Sequence, residues 1–222
     1  MVPRAAVVTT YQRPVELARL VASLADQVDH LVVVDNDSRP PAEVDWHGGG
    51  TLTVTTYAER PPNLYRMWNV GLETIDALAR DNGWEAWDVG LFNDDADVPP
   101  GWFDRVSLEL RRAGVAACST DPCGAISMPL LKREPDRDLR TRLCPWAFVV
   151  RGEVGMRADE EFGWWWGDTD VDWWCRTHGG VLVLPGDVVP NTLANSTTVG
   201  ELAEQAGRDA EYFTRKWGFR PW

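Results

Sequence analysis

A chain of 222 residues, 44% hydrophobic and 25% charged, is long enough to bury one sizeable core and has an ordinary globular composition. Its 22 basic against 34 acidic residues give a net charge of −12, which argues against a surface built mainly to hold a phosphate backbone, because such binding runs on clustered Lys and Arg. The amino-terminal "MVPRAAVVTTY" has only a short apolar run, and no later run approaches the roughly 20 apolar residues of a membrane span, so a soluble cytoplasmic protein is expected.

Strand-like and helix-like patterns alternate through the first half. "AAVVTT" (5–10) reads as a strand, and "RPVELARLVASLADQ" (13–27) as a helix with Leu17, Leu20, Val21 and Leu24 at helical spacing behind Pro14. "HLVVVDN" (30–36) is a continuous buried-strand run, "TLTVTTY" (51–57) alternates like a further strand, and a helix is expected from about Leu64 to Ala79. "EAWDVGLFNDD" then ends another strand in acids. In the second half "GVAACST", "CPWAFVV" and "GGVLVLPGD" are strand candidates, and residues 201–216 read as a closing amphipathic helix. The stretch 130–143, basic from Lys132 to Arg142, reads as a loop or edge hairpin. Strand, helix, strand with continuous hydrophobicity predicts an α/β fold, a mostly parallel sheet covered by helices.

In such sheets ligands bind outside the carboxyl ends of the strands. Thr9, Thr10, Tyr11 and Arg13, then Asp35, Asn36 and Asp37, then Asn93, Asp94 and Asp95 all fall at those ends, so three polar clusters should meet along one edge. Packed carboxylates repel and are costly to desolvate, so "NDD" is either a solvated turn before Pro99–Pro100–Gly101 or a cation site. The four cysteines show no CxxC spacing and are expected as core thiols in a reducing compartment. Of thirteen tryptophans, Trp164, Trp165, Trp166, Trp173 and Trp174 crowd one segment; the last two are expected in the core.

Five stretches in this order, "VVTTYQRP", "LVVVDNDS", "NLYRMWNVGL", "LFNDDADVPPGWFDRV" and "ADEEFGWWWGDTDVDWWCRTHGG", resemble the family 2 glycosyltransferases. The resemblance implies a single GT-A (Rossmann-like) domain over 1–222, its donor half in 1–97 and its acceptor half in 98–222. It also implies an inverting, metal-dependent transfer of one sugar from a nucleotide-sugar donor (UDP-, GDP- or dTDP-linked) to a hydroxyl acceptor. "NDD" stands at the family's DXD motif with Asn93 in first place, so Asp95 would ligate Mg²⁺ or Mn²⁺ and Asp94 would face the ribose or the metal's waters. Thr9, Tyr11, Arg13, Asp35, Asn36, Arg66, Asn69 and Asn93 match donor-side positions; turn initiation after the strand is the lesser alternative for Asp35 and Asp37, and a surface role a nearly equal one for Arg66.

"TDVD" stands where the family has "EDVD", which makes Asp170 the candidate base and Asp168 the reserve, with helix capping as the alternative role. Asp172 and Arg176 would anchor the following helix, and Trp164, Trp165 and Trp166 would form the acceptor wall, at least one of them being core. A late metal-ligating His of many relatives is replaced by Asn191, and His47 and His178 read as surface or capping residues. A nucleic-acid acceptor is disfavoured by the −12 charge, although the basic stretch 132–142 would suit one. Two other readings stand beside the transferase. A sugar-phosphate nucleotidyltransferase would want a Gly-rich loop after the first strand, which "VVTTYQRPVEL" lacks, and a non-catalytic carbohydrate-binding relative would account for Asn93 and Thr169.

Overall fold

The first strand, β1 (Arg4–Thr10), sends Ala5 and Val7 to one face of the sheet and Ala6 and Val8 to the other, all of them fully buried. A strand apolar on both faces needs helices on both sides, and the computed structural model, which describes residues 2–138, 141–192 and 201–220, supplies them. The remaining strands are β2 (His30–Asp35), β3 (Thr51–Thr56), β4 (Asp88–Asn93), β5 (Ala117–Thr120), β6 (Leu130–Lys132), β7 (Ala147–Arg151) and β8 (Val181–Leu184). They form one sheet in the order β3-β2-β1-β4-β7-β5-β8-β6. The pairs β1–β2, β1–β4, β2–β3 and β5–β8 are parallel, while β7 runs against β4 and β5, and β6 against β8.

Five helices cover the sheet: α1 (Pro14–Leu24), α2 (Leu64–Asp81), α3 (Trp102–Ala113), α4 (Gly167–Thr177) and α5 (Glu201–Trp217). Leu17, Leu20, Val21 and Leu24 of α1 join Phe103, Val106 and Leu110 of α3 on one face. On the other, Trp68, Leu72 and Ile75 of α2 pack with Val171 and Trp173 of α4 and Phe213 of α5. The approach of α2 is close: a Cβ at Gly71 would lie 2.2 Å from a Val7 methyl.

The alternation read from sequence is the one observed, with two differences. Helix α3 was not anticipated, although Trp102, Phe103, Val106 and Leu110 keep helical spacing; Gly101, at φ 73, supplies the left-handed residue that turns the chain from the acidic loop into it. Within 130–143 only Leu130–Lys132 is a strand, at the outer edge against β8, and Leu139 and Arg140 lie outside the described residues, as does the end of "VVPNTLANST" beyond Thr192. Cys118, Cys144 and Cys175 are buried thiols as expected, but Cys123 is exposed in the loop after β5, a correction to the reading of all four as core. Among the described residues no helix is long and apolar enough to cross a membrane.

Candidate active site at the carboxyl ends of the strands

The parallel register sets Thr9 beside Val34 and Asn93, and Thr10 beside Asp35, so the three polar clusters do share one edge. At its centre Asp94 and Asp95, each 4% exposed, follow Asn93 in the turn after β4. Thr10 Oγ1 donates to Asp94 Oδ2 at 2.9 Å, and Arg13 Nη1 donates to Asp94 Oδ1 at 3.0 Å and to Asp95 Oδ2 at 3.3 Å. Asp95 Oδ1 is buried with no hydrogen-bond partner among the described residues. Burial, and then the negative charge of Asp94, push the Asp95 carboxyl up to about 6, with Arg13 offsetting only part; burial also raises Asp94.

The charge and burial of this pair would fit a cation. Among the described residues no group of three His, Cys, Asp or Glu side chains could hold a metal unaided. The protein therefore offers one or two carboxylates, the donor set that suits a hard divalent ion completing its shell with phosphate oxygens and water. The backbone of the turn is fixed from elsewhere: the segment after β8 bridges Asn191 to Ala96, Pro190 O accepts from Asp97 N at 3.0 Å, and Thr192 N and Oγ1 donate to Asp95 O at 3.0 and 3.1 Å. Arg19 in turn donates to Thr192 Oγ1 at 2.6 Å.

The other donor-side candidates surround this pair unevenly. Thr9 is buried beside Asn93, whose Oδ1 is buried without a hydrogen-bond partner among the described residues, and Tyr11 is half exposed beyond the end of β1. Asp35 accepts from Ser38 N at 3.1 Å and Ala42 N at 2.9 Å, so its oxygens serve the loop after β2, the turn role that sequence allowed. Asn36 Oδ1 accepts from Arg60 at 2.8 Å. Arg66 lies between Glu59, at 2.7 Å, and Glu160, at 3.6 Å. With Tyr57, Arg60 and Asn63 it lines a cleft of about 410 Å³. Asn69 is engaged by the segment before the tryptophans: its amide donates to Ala158 O and Glu160 and accepts from Ala158 N, all at 2.8–2.9 Å.

The Trp-rich segment is organised by α5. Asp209, 1% exposed, accepts from the backbone N–H groups of Gly163, Trp164 and Trp165 at 3.0, 2.8 and 2.7 Å and from Gln205 at 2.6 Å. Trp164 and Trp166 are half-buried against the core on that face, so the expected wall of three is partly core; Trp166 takes the left-handed backbone, φ 68, at the start of α4. Trp173 is core, while Trp174 is half-buried and stacks on exposed His178, their rings 3.9 Å apart.

Three acids lie on the first turns of α4 in three environments. Asp168, on its first turn and part-exposed, pairs with Arg142 at 3.4 Å; the same guanidinium donates to Thr169 Oγ1. Asp172 is fully buried on Arg176 at 2.7 Å and accepts from Leu143 N at 3.0 Å, the anchoring role expected of that pair. Asp170, 4% exposed, accepts from Lys216 Nζ at 2.9 Å and from Trp217 Nε1 at 2.8 Å. The segment Arg142–Trp146 joins these acids to the acidic turn after β4, since Trp146 O accepts from Asn93 N at 3.1 Å. Asp209, Lys216, Trp217 and Arg142 were not singled out from sequence; the one signal available was a carboxylate, Asp209, beside Ala210 and Phe213 on the apolar face of α5.

No protein-family model matches the chain. The galactofuranosyltransferase GlfT1 of Mycobacterium tuberculosis, in each of two strains, is 38% identical over 93 residues, 40% of this chain. The match spans 29% of that relative's length, less than a third of it. The crystal structure of S. aureus TarS superposes with a TM-score of 0.60 over 98% of this chain and 44% of that one, at 14% identity. TarS 1–349 in complex with UDP-GlcNAc gives the same score over 98% and 73%. The chain thus shares its fold with TarS, and a segment of 93 residues with GlfT1.

Proposed function

We propose that the protein is an inverting, metal-dependent glycosyltransferase of the family 2 type, moving one sugar from a nucleotide-sugar donor to a hydroxyl acceptor. The observation that carries this reading is the buried, under-compensated carboxylate pair Asp94–Asp95 at the strand edge, with one Asp95 oxygen lacking a hydrogen-bond partner among the described residues. A Mg²⁺ or Mn²⁺ ion held there would act as a Lewis acid on the leaving diphosphate. A UDP-linked donor is favoured by the UDP-GlcNAc bound to TarS 1–349. Arg13, Thr10 and the strap at 190–192 hold the carboxylates for it.

The remaining chemistry belongs to the chain. The acceptor oxygen attacks the anomeric carbon, the bond from that carbon to the diphosphate oxygen breaks with its electrons on the diphosphate, and the acceptor proton passes to the base. Asp170 is the base in this reading: its Oδ2 keeps a lone pair beyond the hydrogen bond it accepts from Lys216, and its environment drives its proton affinity apart from that of neighbouring Asp159. Asp168 is favoured as a second reading by its greater exposure. The half-buried tryptophans 164–166 supply the apolar faces on which an acceptor sugar would stack.

Isothermal titration of the chain with UDP, GDP and dTDP, each with Mn²⁺ and with EDTA, tests the donor site. Cation-dependent binding of one nucleotide, weakened at least about 100-fold in Asp95→Ala, is expected. No binding of any of them by the unaltered chain would sink the transferase reading.

A further inference from the structure

Lys216 stands on the last turn of α5 with its ammonium between two carboxylates, 2.7 Å from Asp159 and 2.8 Å from Asp170. Those two acids are not equivalent. Asp159 also accepts from Tyr212 Oη at 2.8 Å and from Glu161 N at 3.1 Å, and these bonds with Lys216 hold its carboxyl below the usual range despite partial burial. Asp170 is buried more deeply, and burial outweighs Lys216 and Trp217, raising its carboxyl above that range. One cation is therefore shared by two anions, one fully compensated and one held back toward its neutral form.

We propose that Lys216, 46 residues distant in sequence from Asp170, is a positioning residue of the transfer reaction, holding the Asp170 carboxylate charged and oriented, with Trp217, to receive the acceptor proton. This rests on the function proposed above and extends it to α5, to which neither the resemblance nor the relatives assign a part. The groups facing Asp170 are Lys216 and Trp217 from α5 and Asp159 from the segment before the tryptophans, with Tyr212 reaching it through Asp159; Asp168 and Asp172 flank it on α4. Lys216 supplies the positive charge in direct contact with Asp170, so a neutral replacement leaves a buried carboxylate with an indole N–H and a nearby anion.

The experiment uses the full chain and needs no identified acceptor. Aspartate-carboxyl ¹³C NMR, with Asp170 assigned through Asp170→Asn, follows its titration in the unaltered chain, Lys216→Met and Lys216→Arg, and UDP release from UDP-GlcNAc to water is measured against pH for the same three. In Lys216→Met the Asp170 midpoint should rise by about 1 to 3 pH units, and the acid limb of kcat should move up with it while KM for the donor stays within about twofold. Lys216→Arg should restore both. An Asp170 midpoint unmoved in Lys216→Met overturns the inference, as does a moved midpoint with a fixed acid limb, which would make the pair merely structural. Absence of UDP, GDP and dTDP binding by the unaltered chain overturns the transferase reading instead, and is separable because the NMR titration does not depend on it.

Discussion

The two acidic regions of the molecule are built on opposite plans. At the turn after β4, two nearly buried carboxylates share one guanidinium, and Asp95 Oδ1 has no hydrogen-bond partner among the described residues. On α4 and α5, each buried carboxylate has its own partner, Asp170 in Lys216 and Trp217, Asp172 in Arg176 and Asp209 in three backbone N–H groups, although burial still raises Asp170 and Asp172. A buried anion lacking compensation is unfavourable unless something arrives to complete it, whereas a compensated one is part of the framework. The difference separates two acids crowded on one guanidinium from acids that each have a partner in the framework.

The sharpest way to break that division lies where it is crossed, at Asp170, which is compensated yet assigned a chemical part. Asp170→Asn is expected to lower UDP release about 1,000-fold and Asp168→Asn about tenfold or less, with UDP and Mn²⁺ binding retained in both; the reverse ranking would move the base to Asp168. Next in size is Asp209→Ala, which strips the Gly163, Trp164 and Trp165 amides of their shared acceptor. Urea unfolding should show a loss of about 3 kcal/mol, and a loss under 1 kcal/mol would remove Asp209 from the framework class.

Asp95 should behave in the opposite sense. Its folded carboxyl lies at about 6 against an ordinary 3.8, so it stabilises while protonated, and that contribution is lost as pH rises from about 4 through 6. The difference corresponds to about 3 kcal/mol. Asp95→Asn should therefore melt at about the same temperature as the unaltered chain at pH 4 and above it at pH 7.5, without added cation; equal melting at both pH values would mean that Asp95 is compensated after all. The smallest effect expected is at Asn63, which caps α2 by accepting from Arg66 N at 2.9 Å and donates to Glu160 O at 2.8 Å, tying α2 to the segment before the tryptophans. Asn63→Ala should cost about 1 kcal/mol in the same unfolding assay.

The donor edge was legible in the sequence because its residues come from strand ends, and continuous apolar runs mark where strands stop. Thr9, Asp35 and Asn93 are placed together by register alone. The environment of each acid was not legible. That Asp35 is spent on Ser38 and Ala42, or Asn69 on Ala158, depends on where loops return, which no local pattern encodes. Lys216 and Asp209 were hidden for the same reason: each meets its partners across more than 40 residues, through the docking of an otherwise ordinary amphipathic helix. Helix α3 lay within reach, its apolar spacing masked by the charges between.

The strap that clips the acidic turn has a consequence for the order in which the molecule can become competent. Thr192 grips the backbone of Asp95 from 97 residues further along the chain. Strands β1 to β4 can pair from local and neighbouring segments, but the turn they carry is not pinned until β8 has joined the far side of the sheet and the chain has crossed back. Contacts of such long sequence separation form late, because loop closure precedes their reward. Nucleotide capture would then signal that folding has finished: an incomplete chain would present the acids without the grip, and a partly unfolded one would release its ligand before losing its first four strands.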